Sequence, residues 1–302
     1  MKLAWLMARL VFTLAALSLA FGMFSSNLSD FLLKQVHMGW LLCSALLHLL
    51  ILLVGAARLG LLHRATTSGP PIRLTKLTAI NWSGFAVGQV ALGTLGGDAL
   101  RLVLLNRAGS GWRRSTILLI VDRFFGLAGL ACVGFVAFWA LTGFDLRFLA
   151  VLGLATAALL ITTALVFRYA RARFGRWPAF PHDLFSATGK AFALSVAPMA
   201  LALALIGHAL SISVFCSIGY AFGFAPPLLA TVPAVAIGLF AAALPISLGG
   251  WGVRELTIAG SYVAFGQAYP QAVEVTVLFG LSQIAMAIPG LLALWMEPRI
   301  GR

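Results

Sequence analysis

Stretches of about 20 mainly apolar residues recur along this chain and restrict its possible folds, because a helix that crosses a bilayer needs that length. The sequence contains seven candidate spans: Trp5–Phe24, Gly39–Ala57, Ser115–Leu141, Phe148–Phe167, Ala191–Cys216, Leu228–Leu244 and Ala272–Trp295. Charged residues make up only 10% of the chain, which leaves almost no sequence for a water-soluble domain. The apolar runs also lack the alternation of an outer-membrane barrel. We therefore predict an all-α, polytopic membrane bundle that forms a single transmembrane domain over residues 1–302.

Two further apolar stretches are interrupted and do not fit a simple span. Residues 77–97 contain glycines and polar residues between two basic connectors, which predicts a re-entrant hairpin that enters from the cytoplasm and returns. Residues 245–266 include Pro245 and Gly252, which break helices. Such backbone is tolerated at membrane depth only against protein or a watery cavity, so both stretches are predicted cavity walls. In total we expect about 7 or 8 spans with one or two hairpins.

The basic residues predict the orientation of the chain. The net charge is +13, and many of the basic residues fall in three connectors: Arg58, Arg64, Arg73 and Lys76; Arg107, Arg113 and Arg114; Arg168, Arg171, Arg173 and Arg176. This distribution follows the positive-inside rule and predicts a bacterial inner-membrane protein with both termini in the cytoplasm. The expected partners are membrane lipids with anionic headgroups, and nucleic acid is not an expected partner.

The longest polar stretch, residues 168–190, divides the chain near its middle. It predicts a cytoplasmic connector between two pseudo-repeat halves, residues 1–167 and 190–302. If the halves are inverted repeats, the two interrupted stretches approach from opposite faces and meet near the midplane, where transporters of this architecture bind their substrates.

A short pattern, Leu-Gly-Gly-x-x-x-Arg, occurs once in each half, at residues 95–101 and 248–254. In the first copy, Asp98 and Arg101 are three residues apart and share one face of a helix. Gly96 and Gly97 precede them and leave backbone N–H groups free at a helix start, which suits an anion such as a phosphate headgroup.

The second copy repeats this arrangement with Gly249, Gly250, Arg254 and the adjacent Glu255. We therefore expect two halves of one anion site. Two plainer interpretations stay open at this point. The chain has 31 glycines, so the pattern can recur by coincidence, and each arginine can be an interfacial residue whose head reaches water.

An adjacent acid and base, Asp122 and Arg123, lie about 12 Å inside a predicted span by helical rise. Charges at such depth are costly, and they pair or mark a pathway. Neighbouring residues on a helix point in different directions, so each charge needs a further partner. For Asp122 the predicted partner is Arg101.

The sequence lacks the short motifs of common enzymes, including H-E-x-x-H, G-x-S-x-G and the P-loop. The histidines and cysteines also lack metal-ligand spacing. We therefore expect a protein that is not an enzyme and that uses no metal or cofactor.

Three segments together resemble the transmembrane region of lysylphosphatidylglycerol synthase, a family of flippase-like membrane proteins: residues 88–101, 122–127 and 245–255. The resemblance covers nearly the whole chain in order, although Leu92 stands where the family often has proline. It implies a lipid-translocating module, and it places six residues near the lipid path: Asp98, Arg101, Asp122, Arg123, Arg254 and Glu255. The soluble aminoacyl-transferring domain has no counterpart here, so lipid lysylation is not expected.

The predicted function is translocation of a lipid with an anionic headgroup or of an isoprenoid-type lipid. Relatives without the soluble domain are associated with diverse lipids, including hopanoids and isoprenoid carriers, so the resemblance leaves the substrate open. One alternative is an intramembrane lipid-modifying enzyme with Asp98 or Asp122 as its base. Another is a scaffold partner of a lipid-synthesis complex.

Overall fold

The structure of the chain is a computed structural model, and it describes residues 10–16, 18–19, 36–67, 71–90, 94–142, 180–244, 247–266 and 271–300. Within these ranges the regular elements are helices. Nine of them are labelled here in chain order: α1 (Met38–Thr66), α2 (Leu74–Val90), α3 (Thr94–Leu105), α4 (Trp112–Thr142), α5 (Phe180–Ala191), α6 (Ala197–Ala221), α7 (Leu228–Ala243), α8 (Val253–Ala264) and α9 (Ala272–Ile300). A π-helical turn, Asn106–Ser110, joins α3 to α4.

Four of the helices, α1, α4, α6 and α9, are long and apolar enough to cross a membrane. They correspond to four of the predicted spans, and the chain is an integral membrane protein with an all-α fold. Helix α6 begins at Ala197 rather than at Ala191, with a proline in its first turn, where proline is favoured. Of the predicted first span, residues 10–16 and 18–19 are helical. The predicted span at residues 148–167 lies outside the described residues.

Helix α1 shows how these helices divide between protein and lipid. Its buried positions include Ser44, His48, Leu52 and Ala56, which recur at helical spacing. Large apolar residues on the opposite face are exposed: Leu42, Leu46, Leu50 and Leu53. An apolar exposed stripe and a buried stripe with polar members suit a helix that packs on one side and meets lipid on the other.

The first interrupted stretch folds as a helical hairpin. Helices α2 and α3 are antiparallel, because Gly84 packs against Arg101 while Gly97 packs against Gly84 and Gly88. The side chain of Ser110, just beyond α3, lies 3.1 Å from the ring nitrogen Nε2 of His63 near the end of α1. The hairpin therefore begins and ends at the same end of the bundle, as the predicted re-entrant geometry requires.

The second interrupted stretch also belongs to a hairpin, formed by α7 and α8. The Thr231 and Tyr262 hydroxyl oxygens are 2.5 Å apart across it, and Gly238 packs against Ile258. The prediction of a full span at residues 228–244 was wrong, because α7 has only 16 residues and is one arm of this hairpin. At about 1.5 Å per residue it reaches about 24 Å, which is short of the hydrocarbon core.

The described helices repeat one order, with a long helix, a two-helix hairpin and another long helix in α1–α4 and again in α6–α9. Each hairpin packs on the other set, since α2 contacts α9 and α7 contacts α4. The equivalent helices α1 and α6 are antiparallel, because Trp40 stacks near Tyr220 while Val54 lies beside Gly207. This is the order of an inverted repeat. The wider boundaries, 1–167 and 190–302, and the single-domain assignment stay predictions, because residues 143–179 lie outside the description.

Candidate functional site

Five charged side chains from three helices meet inside the first half of the bundle, and we call them the charged cluster. Helix α1 contributes Arg58, α3 contributes Asp98 and Arg101, and α4 contributes Asp122 and Arg123. Arg58 Nε donates to Asp122 Oδ1 at 2.8 Å, and Arg123 Nε donates to Asp98 Oδ2 at 2.6 Å. Each carboxylate is therefore held by a guanidinium group from another helix.

Arg101 lies between these two pairs. Its Nη1 is 3.6 Å from Asp98 Oδ1 and 3.9 Å from Asp122 Oδ2. Its Nη2 donates a hydrogen bond to the Asn81 side-chain oxygen on α2. Its Nε is buried and has no hydrogen-bond partner among the described residues. One donor of the central arginine, which lies beside Gly84 of α2, is thus without an acceptor among the described residues.

The charged cluster holds three guanidinium groups and two carboxylates, so its formal charge is +1. Its exposure is graded, from 5% for the Asp122 side chain to 37% for that of Arg123. Asp122 lies ten residues inside α4, about 15 Å from the start of the helix. A net positive charge at this depth is costly, and an anionic group would reduce the cost.

The structure brings together the predicted residues of the first half, and it adds one that the sequence interpretation missed. Asp98 and Arg101 are in contact, as their spacing predicts, and Arg101 approaches Asp122. The closer partner of Asp122 is Arg58, which was wrongly assigned to a connector. Helix α1 continues to Thr66, so Arg58 lies two turns inside it. The signal was available, because no proline interrupts residues 38–66 and Asp122 required a partner.

Arg254 and Glu255, from the second motif, form a closed pair. Arg254 Nη2 donates to Glu255 Oε1 at 2.6 Å, and Nη1 donates to the Gln283 side-chain oxygen at 2.9 Å. The guanidinium also lies 5.1 Å from the ring centroid of Trp251 and 5.4 Å from that of Phe279. Arg254 is 2% exposed and Glu255 is fully buried.

The second carboxylate oxygen of Glu255 accepts the Gly252 N–H at 2.6 Å, at the start of α8. This contact satisfies a helix-terminal donor that would otherwise be unpaired in an apolar environment. In this arrangement both residues of the pair are engaged with the protein, and neither offers an open face to a lipid headgroup.

The glycines of the two motifs have different conformations. Gly249 and Gly250 have φ angles of 61° and 81° and form a turn before α8. Gly96 and Gly97 are the third and fourth residues of α3, which begins at Thr94, so they lie at a helix start as predicted. The binding of an anion by their N–H groups stays a prediction. Gly97 also serves close packing, since a Cβ atom there would clash with the Gly84 carbonyl oxygen of α2.

The two hairpins touch, but their charged groups remain separate. A Cβ atom on Gly249 would lie 3.0 Å from the Gln89 carbonyl oxygen near the end of α2. The polar partners of Arg101 are Asn81 and the cluster carboxylates, whereas those of Arg254 are Glu255 and Gln283. Within the described part of the chain the two arginines share no direct polar partner, and their joining in one anion site stays a prediction.

Membrane-crossing helices, two helical hairpins and a charged cluster among α1, α3 and α4 define a polytopic membrane protein with a polar site inside its bundle. The sequence matches the family described as the lysylphosphatidylglycerol synthase TM region over residues 6–290, and the chain belongs to this family. No curated protein and no solved structure gives a significant match. The family gives the protein a role related to membrane lipids.

Proposed function

We propose that the protein is a flippase-like translocator of lipids with an anionic headgroup, and that the charged cluster is its headgroup site. The observation that carries the proposal is the formal charge of +1 at membrane depth together with the unpartnered Nε of Arg101. A headgroup phosphate would neutralise the cluster and accept this hydrogen bond. Charge-assisted hydrogen bonds from guanidinium groups suit phosphate oxygens in both strength and geometry.

Within this proposal the residues have different roles. Arg101 and the more exposed Arg123 engage the headgroup, while Asp98, Asp122 and Arg58 hold the two arginines in place. The buried Arg254–Glu255 pair, with Gly249 and Gly250, stabilises the second hairpin. The proposal also keeps an inner-membrane location with cytoplasmic termini, on the strength of the basic connectors.

Translocation is favoured over lipid modification by the state of the two candidate bases. The Asp98 carboxylate accepts from Arg123 and the Asp122 carboxylate accepts from Arg58. A general base needs a carboxylate oxygen within reach of the proton that it removes. Both carboxylates are instead engaged by guanidinium groups of neighbouring helices.

The test is lipid movement in proteoliposomes that contain fluorescent phosphatidylglycerol, with an isoprenoid phosphate as competitor. The wild-type protein should expose inner-leaflet probe to an impermeant quencher. Asp122→Asn and Arg123→Gln should each slow this movement at least roughly tenfold at matched protein levels, since charged hydrogen bonds contribute about 1.5–3 kcal/mol. Arg113→Gln, outside the cluster, is the control and should match the wild type.

Four outcomes would count against the proposal. A wild-type protein that moves no probe contradicts translocation directly. A chemically altered lipid, detected by mass spectrometry of the vesicles, would favour the enzyme instead. Copurification with a lipid synthase without either activity would favour the scaffold. If Asp122→Asn and Arg123→Gln fail to accumulate in the membrane, the pair serves folding and its assignment to the headgroup site is wrong.

A further inference from the structure

Asn81 is a neutral side chain that contacts the charged cluster through Arg101. It lies on α2 and is 5% exposed, so a free amide there would be costly. Both ends of the amide are engaged. The side-chain oxygen accepts from Arg101 Nη2, and Nδ2 donates to the Leu52 carbonyl oxygen of α1 at 3.0 Å. Because a carbonyl oxygen can only accept and a guanidinium group can only donate hydrogen bonds, the orientation of the amide is fixed.

The fixed amide determines which edge of Arg101 is occupied. Nη2 is held by Asn81, and Nη1 lies near the two carboxylates, while Nε has no partner among the described residues. A neutral oxygen satisfies Nη2 without adding a negative charge. An acidic residue at position 81 would lower the formal charge of the site from +1 to zero and would remove its reason to attract an anion.

Helix α1 has a glycine, Gly55, at the position where the Asn81 amide packs against it. A Cβ atom on Gly55 would lie 2.7 Å from Asn81 Nδ2, which is closer than side-chain carbons approach in real structures. Glycine at position 55 therefore lets the amide reach both the Leu52 carbonyl and Arg101. Elsewhere on the same helix, Gly39 has open space around it.

We infer that Asn81 is a positioning residue of the lipid site: it holds Arg101 by Nη2, keeps Nε–H available to an anionic headgroup, and preserves the net positive charge. The inference rests on the proposed function, because it assigns Asn81 a role at the same site. It extends the site to α2, the helix of the first hairpin that contributes no residue to the charged cluster.

The decisive variants change charge and position separately. Asn81→Asp should reduce translocation of fluorescent phosphatidylglycerol at least roughly tenfold, since a carboxylate competes with the headgroup for Arg101. Adding Asp98→Asn to Asn81→Asp restores the formal charge of +1 and should recover a substantial part of the lost rate. A purely structural role of Asn81 predicts no such recovery, because a second substitution would only add damage.

A second pair of variants displaces the amide without removing it. Gly55→Ala should push Asn81 away from Arg101 and lower the rate several-fold. The matched control Gly39→Ala, on the same helix, should behave as the wild type. Ser83→Ala, which removes another buried polar contact of α2, should also retain the wild-type rate.

Lipid binding separates failure of this inference from failure of the proposed function. Phosphatidylglycerol added to the detergent-solubilised protein should raise the unfolding temperature of the wild type. It should leave the unfolding temperature of Asn81→Asp unchanged. If the wild type shows this rise but moves no lipid, translocation is wrong and the role of Asn81 stands. If Asn81→Asp binds and transports as the wild type does, or if the double variant recovers nothing, the inference is overturned.

Discussion

At the residue scale, two arginines in equivalent motifs differ in how completely their charge and hydrogen-bond donors are matched by neighbouring residues. Arg101 shares two carboxylates with two other arginines and retains an unpartnered donor. Arg254 has its own carboxylate, a side-chain amide and two aromatic rings, and it is almost fully buried. A buried pair of this kind is strongly destabilised when one partner is lost, because the other charge is left without compensation.

We therefore expect Arg254→Ala to destabilise the folded protein by about 3–5 kcal/mol, because it strands the Glu255 carboxylate. The measurement is the thermal unfolding midpoint in detergent together with the folded yield. The control is Arg113→Ala, whose partner Asp183 is 41% exposed, and its effect should stay within about 1 kcal/mol. If the Arg254→Ala protein is stable and has lost only transport, the structural role of Arg254 is contradicted and a role in headgroup binding is favoured.

At the scale of elements, close backbone approach defines the hairpins. The α2–α3 hairpin needs glycine at position 97, where the α2 backbone leaves no space for a side chain. The α7–α8 hairpin uses positive-φ glycines at positions 249, 250 and 252 in its turn. Small residues let helices approach closely in a membrane, where burial of apolar surface supplies little driving force.

Gly97→Ala should consequently destabilise the protein by about 1–3 kcal/mol, the usual cost of overpacking. The matched control is Gly260→Ala in α8, where a Cβ atom has nothing within 4 Å. This control should be neutral or slightly stabilising, since alanine favours a helix over glycine by up to about 1 kcal/mol. Equal unfolding midpoints for the two variants would contradict the close packing of α2 on α3.

The re-entrant path of the first hairpin predicts that Arg64 and Arg107 lie on the same side of the membrane. In a cysteine-free background, single cysteines at these exposed positions should both resist an impermeant thiol reagent added from outside. A cysteine at Arg173 should also resist, and one at Ser26 should react. Labelling of Arg107 but not of Arg64 would mean that the hairpin crosses the membrane completely.

At the scale of the whole molecule, the two halves meet along α1 and α6. These antiparallel helices bring Cys43 and Ser217 together, with 3.8 Å between Sγ and Oγ. Helix α1 starts the first set of helices and α6 starts the second, so their contact joins the two sets. Helix α2 also packs on α9 and α7 packs on α4, so each hairpin contacts the other set.

Ser217→Cys should therefore form a disulfide with the native Cys43 under mild oxidation, because the two side chains lie within bridging reach. The measurement is the loss of two free thiols by mass spectrometry of the denatured, alkylated protein. Ser213→Cys, one turn away on an exposed face, is the control and should remain reduced. Bridging by the control rather than by Ser217→Cys would contradict the antiparallel register of α1 and α6.

The sequence by itself determined the class of fold and much of the charged cluster. Apolar runs of spanning length require helices in a bilayer, since a helix satisfies its backbone hydrogen bonds internally. The interrupted stretches marked the hairpins because glycine and polar residues are poorly suited to a lipid-facing span. Asp98, Arg101, Asp122 and Arg123 could be singled out since charges are rare and costly at such positions.

Only the tertiary structure decided which charged side chains pair with each other and which keep a donor without an acceptor. Arg58 joined the charged cluster through a contact 64 residues away in sequence, and Asn81 reached Arg101 across the hairpin. The two Leu-Gly-Gly motifs also differ in structure because of their tertiary contacts. In the first motif both glycines are helical and Gly97 packs against the α2 backbone, whereas in the second motif Gly249 and Gly250 form a turn, so identical local patterns have different conformations. Local sequence specifies which side chains can carry charge or form hydrogen bonds. Their burial and their actual partners depend on contacts between helices that are far apart in the sequence.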